Sequence, residues 1–197
     1  AAVKADMSKA YDHVEWSFVQ AMLTKLGFSN AWVELIMKCI TSVRYQINVN
    51  GELTQQFCPT RGLRQEDPAS PYLFVICAEG LSALLHDAER AGGISGVKVY
   101  NAGPVVSHLL FDNDSVLLLK ANQEQGAALR AILDLYEDCS GQCINTEKSA
   151  IMFSPNTPMS VKEEVRRRCR FGVKHGMRNT LAYPYMWVNR GRRRSPL

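Results

Sequence analysis

The residues with most capacity for chemistry are Asp112-Asn113-Asp114, set between the apolar runs His108-Leu109-Leu110-Phe111 and Val116-Leu117-Leu118-Leu119. Two short hydrophobic strands around an acidic turn predict a β-hairpin that lifts carboxylates to its tip. Carboxylates on a rigid turn suit hard divalent cations such as Mg²⁺, which take oxygen ligands. Asp6 follows the short segment Ala1-Ala2-Val3-Lys4-Ala5 and adds a further carboxylate if that segment is an adjacent strand. Carboxylates from two strands gripping two metal ions would serve in-line phosphoryl transfer. Asn113 interrupts the acids: an amide keeps the shape of aspartate and loses its charge.

The elements that must position these groups follow from the patterning. A strand ending near Asp6 is followed by a helix read from Asp12-His13-Val14-Glu15 as a capping box. Gly27 suits its stop. Asn30 is read as the cap of a second helix through Trp32, Leu35, Ile36 and Cys39. Asn50-Gly51 marks a hairpin. Ser70-Pro71 opens a helix to about Ala91, apolar nearly all round in its first half and so expected to be buried. Strands near Ile94–Tyr100 and Val105–Phe111 lead into the acidic turn. Asn122 caps a helix closed by Gly141, and a strand at 150–153 follows. The fold expected from this order is α+β, an antiparallel sheet with helices packed on one face. A domain boundary is placed at residue 155, with 156–197 as a basic, poorly patterned tail.

The bulk numbers fit a globular chain. Of 197 residues, 46% are hydrophobic and 21% charged, which excludes a disordered polyelectrolyte. The apolar runs are too short to cross a bilayer, so no membrane partner is expected. No obligate protein partner is evident either. Residues 1–160 hold 12 Lys and Arg against 17 Asp and Glu, a balance of −5, whereas 161–197 hold 11 against 2, a balance of +9. Such a basic segment either contacts phosphates or is a solvated terminus. The six cysteines form no paired framework, and Cys77 and Cys39 read as small core hydrophobes. Free thiols without a signal segment favour a reducing, intracellular setting, and within it the nucleus is expected ahead of the cytoplasm. The opening Ala1-Ala2-Val3, without Met, reads as an excerpt from a longer chain.

Several segments, in order, resemble the reverse transcriptase domain of non-LTR retrotransposons, most closely the plant type. They are Asp6-Met7-Ser8-Lys9-Ala10-Tyr11-Asp12; Arg61-Gly62-Leu63-Arg64-Gln65 with Asp67-Pro68 and Ser70-Pro71-Tyr72-Leu73-Phe74; Ser107-His108-Leu109-Leu110-Phe111; and Ser140-Gly141-Gln142 with Ile144-Asn145 and Lys148-Ser149. The resemblance covers 1 to about 155 and implies a polymerase palm without fingers or thumb. It implies two Mg²⁺ ions, an RNA template, a DNA primer and deoxynucleotide triphosphates. Asp6 takes the place of the first metal-binding aspartate, Asn113 and Asp114 those of a paired aspartate motif, and Asp112 that of a small residue before them. Tyr11 matches an aromatic gate under the incoming sugar, and Gln65 a residue of the nucleotide pocket. Arg64 suits template or nucleotide phosphates. Lys148 matches a lysine that protonates the departing pyrophosphate.

Taken without the resemblance, Asp12 reads as a helix cap, Tyr11 as packing, Lys148 and Arg64 as surface charges, and His108 as a satisfied edge residue. The departures point to impaired catalysis. Mg²⁺ binds carboxylates far better than the amide of Asn113, and Asp112 could replace it only by a register slip that would turn the strand over. Glu66 stands where the resemblance expects glycine, and Ala69 where it expects a larger apolar residue. The rival readings are a non-catalytic nucleic-acid-binding remnant and a decayed copy without activity.

Overall fold

The computed structural model describes residues 1–98, 100, 102–111 and 114–173. Asp112, Asn113 and residues 174–197 therefore lie outside the described residues. The framework is a sheet built around β1 (Ala2–Ser8). Beside it lies β7 (Asp114–Leu118), followed by the edge strand β6 (His108–Phe111). On its other flank β1 pairs with β9 (Ala150–Met152) and, at its C-terminal end, with β8 (Cys143–Ile144). Every one of these pairs is antiparallel.

Alternation along β1 divides the sheet into two faces. Val3, Ala5 and Met7 are buried, whereas Lys4, Asp6 and Ser8 point to the more open side. On the buried face the core is continuous with α1 (Trp16–Lys25), α3 (Ser70–Arg90) and α4 (Gln123–Ser140) through Val19, Leu73, Phe74, Leu81, Leu129 and Leu133. The molecule is an α+β layer, as expected, with the carboxylate-bearing face of the sheet left open.

Several helix starts differ from the sequence reading. The first helix begins at Trp16, and neither Asp12 nor the N-cap Glu15 makes a side-chain capping bond. The cap of α2 (Asn30–Thr41) is Ser29, whose hydroxyl accepts from the Trp32 amide, so Asn30 is already inside the helix. Helix α3 starts one residue earlier than a Ser70 cap implies, and the Asp67 carboxylate receives the Ala69 amide at 2.8 Å. Asn122 and Gly141 do bound α4 as expected, the latter in the left-handed region at φ 74°.

The faces differ as well. Helix α2 buries Val33 and packs Ile36, Met37 and Ile40, leaving Trp32, Leu35 and Cys39 outward. Tyr72 is 75% exposed and Val75 67%, so the first half of α3 is not wrapped on all sides. Its inner flank, through Leu73, Phe74 and Cys77, supplies the core contacts. Asn50-Gly51 does turn the ribbon β2 (Asn48–Val49) to β3 (Glu52–Leu53), and a second ribbon joins β4 (Val97–Lys98) to β5 (Val105–Val106). Cys77 is buried, and desolvation pushes its thiol up to about 12, which makes it inert.

The boundary expected at 155 is moved by the structure. Residues 159–169 form α5 (Met159–Cys169), and β10 (Gly172–Val173) adds a parallel strand outside β9. Val165, Cys169 and Phe171 belong to the main core. The arginines suggest a frayed tail, but they occupy the outer side of a helix whose inner side carries Val165 and Cys169. Gly126 on α4 makes room for that inner side: a Cβ there would stand 3.4 Å from Val165 Cγ1.

His108 ties α3 to the strand leading into the acidic turn. Ser107 Oγ donates to Glu89 Oε2 at 2.9 Å, so its 3.1 Å contact with His108 must run from Nδ1–H to the hydroxyl. Nε2 is then the acceptor for Ser82 Oγ–H at 3.0 Å. Burial first, then the neighbouring His86, lower the His108 pKa below its ordinary 6.5, against the opposing pull of Glu89 and Glu79. A lowered folded value means the unfolded chain binds more protons. The stabilising contribution is therefore complete above pH 6.5 and drains as pH falls from there through the folded pKa. Urea unfolding across this range is expected to show the loss, and His108→Gln to remove that part of the slope. Identical pH profiles for the two proteins would refute the assignment.

Candidate active site

Asp6 and Asp114 face one another across the β1–β7 pair as direct Cα partners, on the open face of the sheet. The two come from positions 108 residues apart by number, and the antiparallel register alone makes them neighbours. Phe111 pairs with Asp114 on the other side, and Asp112 and Asn113, between them in sequence, lie outside the described residues. Asp114 is not free: Lys4 Nζ lies 2.9 Å from its Oδ2. The sequence reading passed over Lys4, although its place two residues before Asp6 on a strand puts both on one face.

The segment after β8 is sewn to Asp6 through the backbone. The Asn145 amide donates to the Asp6 carbonyl at 2.8 Å, and the Asp6 amide donates to Ser149 Oγ at 3.0 Å. Asn145 Oδ1 accepts from the amides of Glu147 and Lys148, both at 3.1 Å, closing the turn between these anchors. Lys148 is thereby carried to the mouth of the cleft that Asp6 lines. Asn145 and Ser149 are scaffold residues whose signal in the sequence was only their membership of a motif.

A second loop is fixed just as closely. The Gly62 amide donates to the Val14 carbonyl and the Leu63 amide to the Tyr11 carbonyl, each at 2.8 Å. Trp16 Nε1 holds the Gly62 carbonyl at 2.8 Å. Gly62 has φ 95°, and a Cβ there would come 2.9 Å from the Asp12 carbonyl oxygen, so glycine alone permits this approach. The loop so pinned sets Gln65 beside Asp12, with Nε2 donating to Oδ1 at 3.3 Å. Asp12 thus orients Gln65 and does not cap a helix.

Glu66 follows at φ 65°, in the left-handed region. Side chains other than glycine adopt it at a cost of ~1–2 kcal/mol, as judged from left-handed helical conformers. The backbone geometry therefore explains why the sequence pattern calls for glycine here.

Asp6, Tyr11, Gln65 and Lys148 line one cleft of about 520 Å³, together with Lys9 and Asn145. The Tyr11 ring stacks on Phe74 of α3, with centroids 4.7 Å apart and planes at 16°. One face of the tyrosine is thus supported by the inner flank of α3. Arg64 lies apart: it lines a smaller cavity of about 240 Å³ near α2 and the start of α3, with Asp12 and Arg61. Of the charged residues that line the cleft, Lys9 and Lys148 oppose Asp6, an excess of one positive charge, and Lys4 and Asp114 pair with each other outside that lining. That balance favours an anionic ligand and leaves little negative field for cations. Among the described residues no group of three or more His, Cys, Asp or Glu side chains could hold a metal ion.

Comparison with known proteins decides the lineage. A family profile described as reverse transcriptase (RNA-dependent DNA polymerase) matches residues 1–178. The chain belongs to the reverse transcriptase family. It is 46% identical over 67 residues to an uncharacterized mitochondrial protein of Arabidopsis thaliana, covering 34% of this chain and 55% of the relative. It is 28% identical over 148 residues to the retrovirus-related Pol polyprotein of the type-1 retrotransposable element R2 of Popillia japonica, covering 75% of this chain. It spans only 20% of that polyprotein. Its relatives thus include a plant protein and the polyprotein of a retrotransposable element. In fold it is similar to apo telomerase of Candida tropicalis truncated from its C-terminal domain, with a TM-score of 0.60 at 12% identity over 80% of this chain and 31% of that one. The family match runs through α5 and β10, in keeping with the place of Val165, Cys169 and Phe171 in the core. No helix among the described residues is long and apolar enough to cross a membrane.

Proposed function

We propose that this reverse transcriptase domain carries the nucleotide cleft of an RNA-directed DNA polymerase, and that Asn113 weakens its catalysis. The observation that supports this most is the convergence of Asp6, Tyr11, Gln65 and Lys148 on one cleft beside the Asp6–Asp114 pair. In this reading an RNA template, a DNA primer and a deoxynucleotide triphosphate meet at the open face of the sheet.

The donor set fits a hard divalent cation in part. Asp6 and Asp114 supply carboxylate oxygens on neighbouring strands, but Asp114 already carries an ion pair. Asp6 and Asp114 would hold Mg²⁺, which when bound stabilises charge developing on the transferred phosphoryl group. The chain's own residues do the remainder. Tyr11, propped on Phe74, offers a flat aromatic face against the sugar and leaves no room for a 2′-hydroxyl. Gln65, oriented by Asp12, offers amide hydrogen-bonding groups to the nucleotide. Lys9 and Lys148 neutralise the triphosphate, and Lys148 Nζ gives its proton to the departing pyrophosphate oxygen.

The test is primer extension on an RNA template by this domain grafted into an intact homologous reverse transcriptase frame. Slow Mg²⁺-dependent extension is expected, and Asp6→Asn should abolish it. Extension undiminished by Asp6→Asn would overturn the reading. A second reading, nucleic-acid binding without polymerisation, is favoured by the cleft's excess of lysine. It predicts salt-dependent RNA binding by the chain truncated after Val173, with no extension in the graft.

A further inference from the structure

Helix α5 is anchored by one flank and open on the other. Val165 and Cys169 pack against Gly126 of α4, and Cys169 Sγ donates to the Gly126 carbonyl at 3.6 Å. This seats α5 with the helices that cover the buried face of the sheet, whereas the cleft opens on the other face. Arg166, Arg167 and Arg170 share the outer flank with Glu163, at the i, i+3, i+4 and i+7 spacing that brings side chains together on a helix. With Phe171 and Gly172 they line an open depression of about 520 Å³, which shares no residue with the cleft. Arg170 ends the helix in the left-handed region at φ 59°, its amide donating to the Arg166 carbonyl at 3.0 Å. Glycine or asparagine is the ordinary choice there, and the sequence places a guanidinium instead.

We infer that the outer flank of α5, through Arg166, Arg167 and Arg170, is a second nucleic-acid contact that holds the phosphodiester backbone on the far side of the sheet from the cleft. The acids nearby do not cancel these charges. Glu163 offsets one of the three arginines, and Glu164 stands 3.8 Å from Arg167 in a pair whose arginine is 73% exposed. Such a pair parts readily. On α4, Asp134 and Glu137 are held by Arg130. The hydrogen bond from Arg130 first, then the charges of Arg130 and Arg170, keep the Asp134 carboxyl below its ordinary range against the effect of burial. Guanidinium forks match phosphate oxygens in bidentate pairs. The basic run continues in the sequence, 11 Lys and Arg against 2 Asp and Glu over 161–197, which matches a long polyanion better than a short acidic segment. Phe171 is buried and offers no ring for a base to stack on, so this contact carries charge and no sequence readout.

Fluorescence anisotropy of a labelled single-stranded RNA with the full 197-residue chain, over a series of salt concentrations, tests this. Each phosphate contact to a single strand contributes ~0.7 to the slope of log affinity against log salt. Arg166→Gln, Arg167→Gln and Arg170→Gln together should therefore lower the slope by ~2 and weaken binding ~10–100-fold at about 0.1 M salt. The three corresponding lysine substitutions should keep the slope, since charge sets it. The same loss is expected when Lys9→Gln and Lys148→Gln are already present at the cleft, because separate contacts add. A DNA strand of the same sequence serves as a second arm: loss on RNA, DNA or both supports the contact and names its strand. An unchanged slope overturns the inference, as does a loss that disappears in the cleft variant, which would place the effect at the cleft. Poly-glutamate bound as tightly as RNA, and released by the same substitutions, would assign the flank to an acidic protein and overturn it too. If the triple variant does not fold by circular dichroism, the single variants decide: each should lower the slope by ~0.7, and three unchanged slopes overturn the inference. The cleft reading is tested separately by Asp6→Asn in the graft.

Discussion

Asn113→Asp, made in the intact frame described above, is expected to raise primer extension by ~10–100-fold or more. Loss of groups that merely orient metal ligands already costs that much, and under the proposed function position 113 would be that of a ligand itself. The substitution is nearly isosteric, so it returns a formal negative charge at little steric cost. The charge acts twice, in holding the cation and in letting that cation offset charge in the transition state. Glu66→Gly should add a further gain, because it relieves the left-handed backbone at φ 65° and removes an acid from a loop that must admit a triphosphate. Steady-state extension rates of the four combinations measure both effects. If the graft with native Asn113 already matches the substituted protein, the impaired-site reading fails, and Asp112 becomes the first candidate for the missing ligand.

Phe171→Ala is expected to destabilise the fold by ~3–5 kcal/mol, the cost of truncating a buried phenylalanine. Its side chain is 2% exposed within the main core, just past α5 and before the parallel strand β10. Were 156–197 a solvated tail, the same change would alter stability by less than ~0.5 kcal/mol. Urea unfolding by circular dichroism separates these outcomes. With total stabilities of ~5–15 kcal/mol, the larger value consumes much of the margin, so measurement at low temperature keeps the variant on scale. A change below ~1 kcal/mol would show that the α5–β10 segment contributes little to folding.

The misreadings share a cause. The capping box at Asp12, the apolar side of α2 through Trp32 and Leu35, and a tail that begins at 156 all rest on local pattern, and the structure departs from the last only as far as residue 173. Local pattern ranks positions along one element and is blind to which flank a neighbour covers. Asp12 is spent on Gln65, from 53 positions away, and that contact exists only because Gly62 lets its loop approach the Asp12 carbonyl. The apolar side of α5, Val165 and Cys169, is sparse beside its arginines, yet the gap at Gly126 makes it a buried seam.

By itself the sequence determined the inventory and the order: an α+β layer, a strand ending at Asp6, an acidic turn between two apolar strands, the hairpin at Asn50-Gly51, and α4 bounded by Asn122 and Gly141. These are local, since strand alternation, turn chemistry and capping act over a few residues. Tertiary structure alone decided that Asp6 faces Asp114, that Lys4 takes that aspartate's Oδ2, and that Lys148 is carried to the cleft by the bonds of Asn145 and Ser149 to Asp6. It also decided that Arg64 belongs to a different cavity from Gln65. These depend on register and on contacts between distant segments, which are fixed only when the buried faces of sheet and helices close on one core.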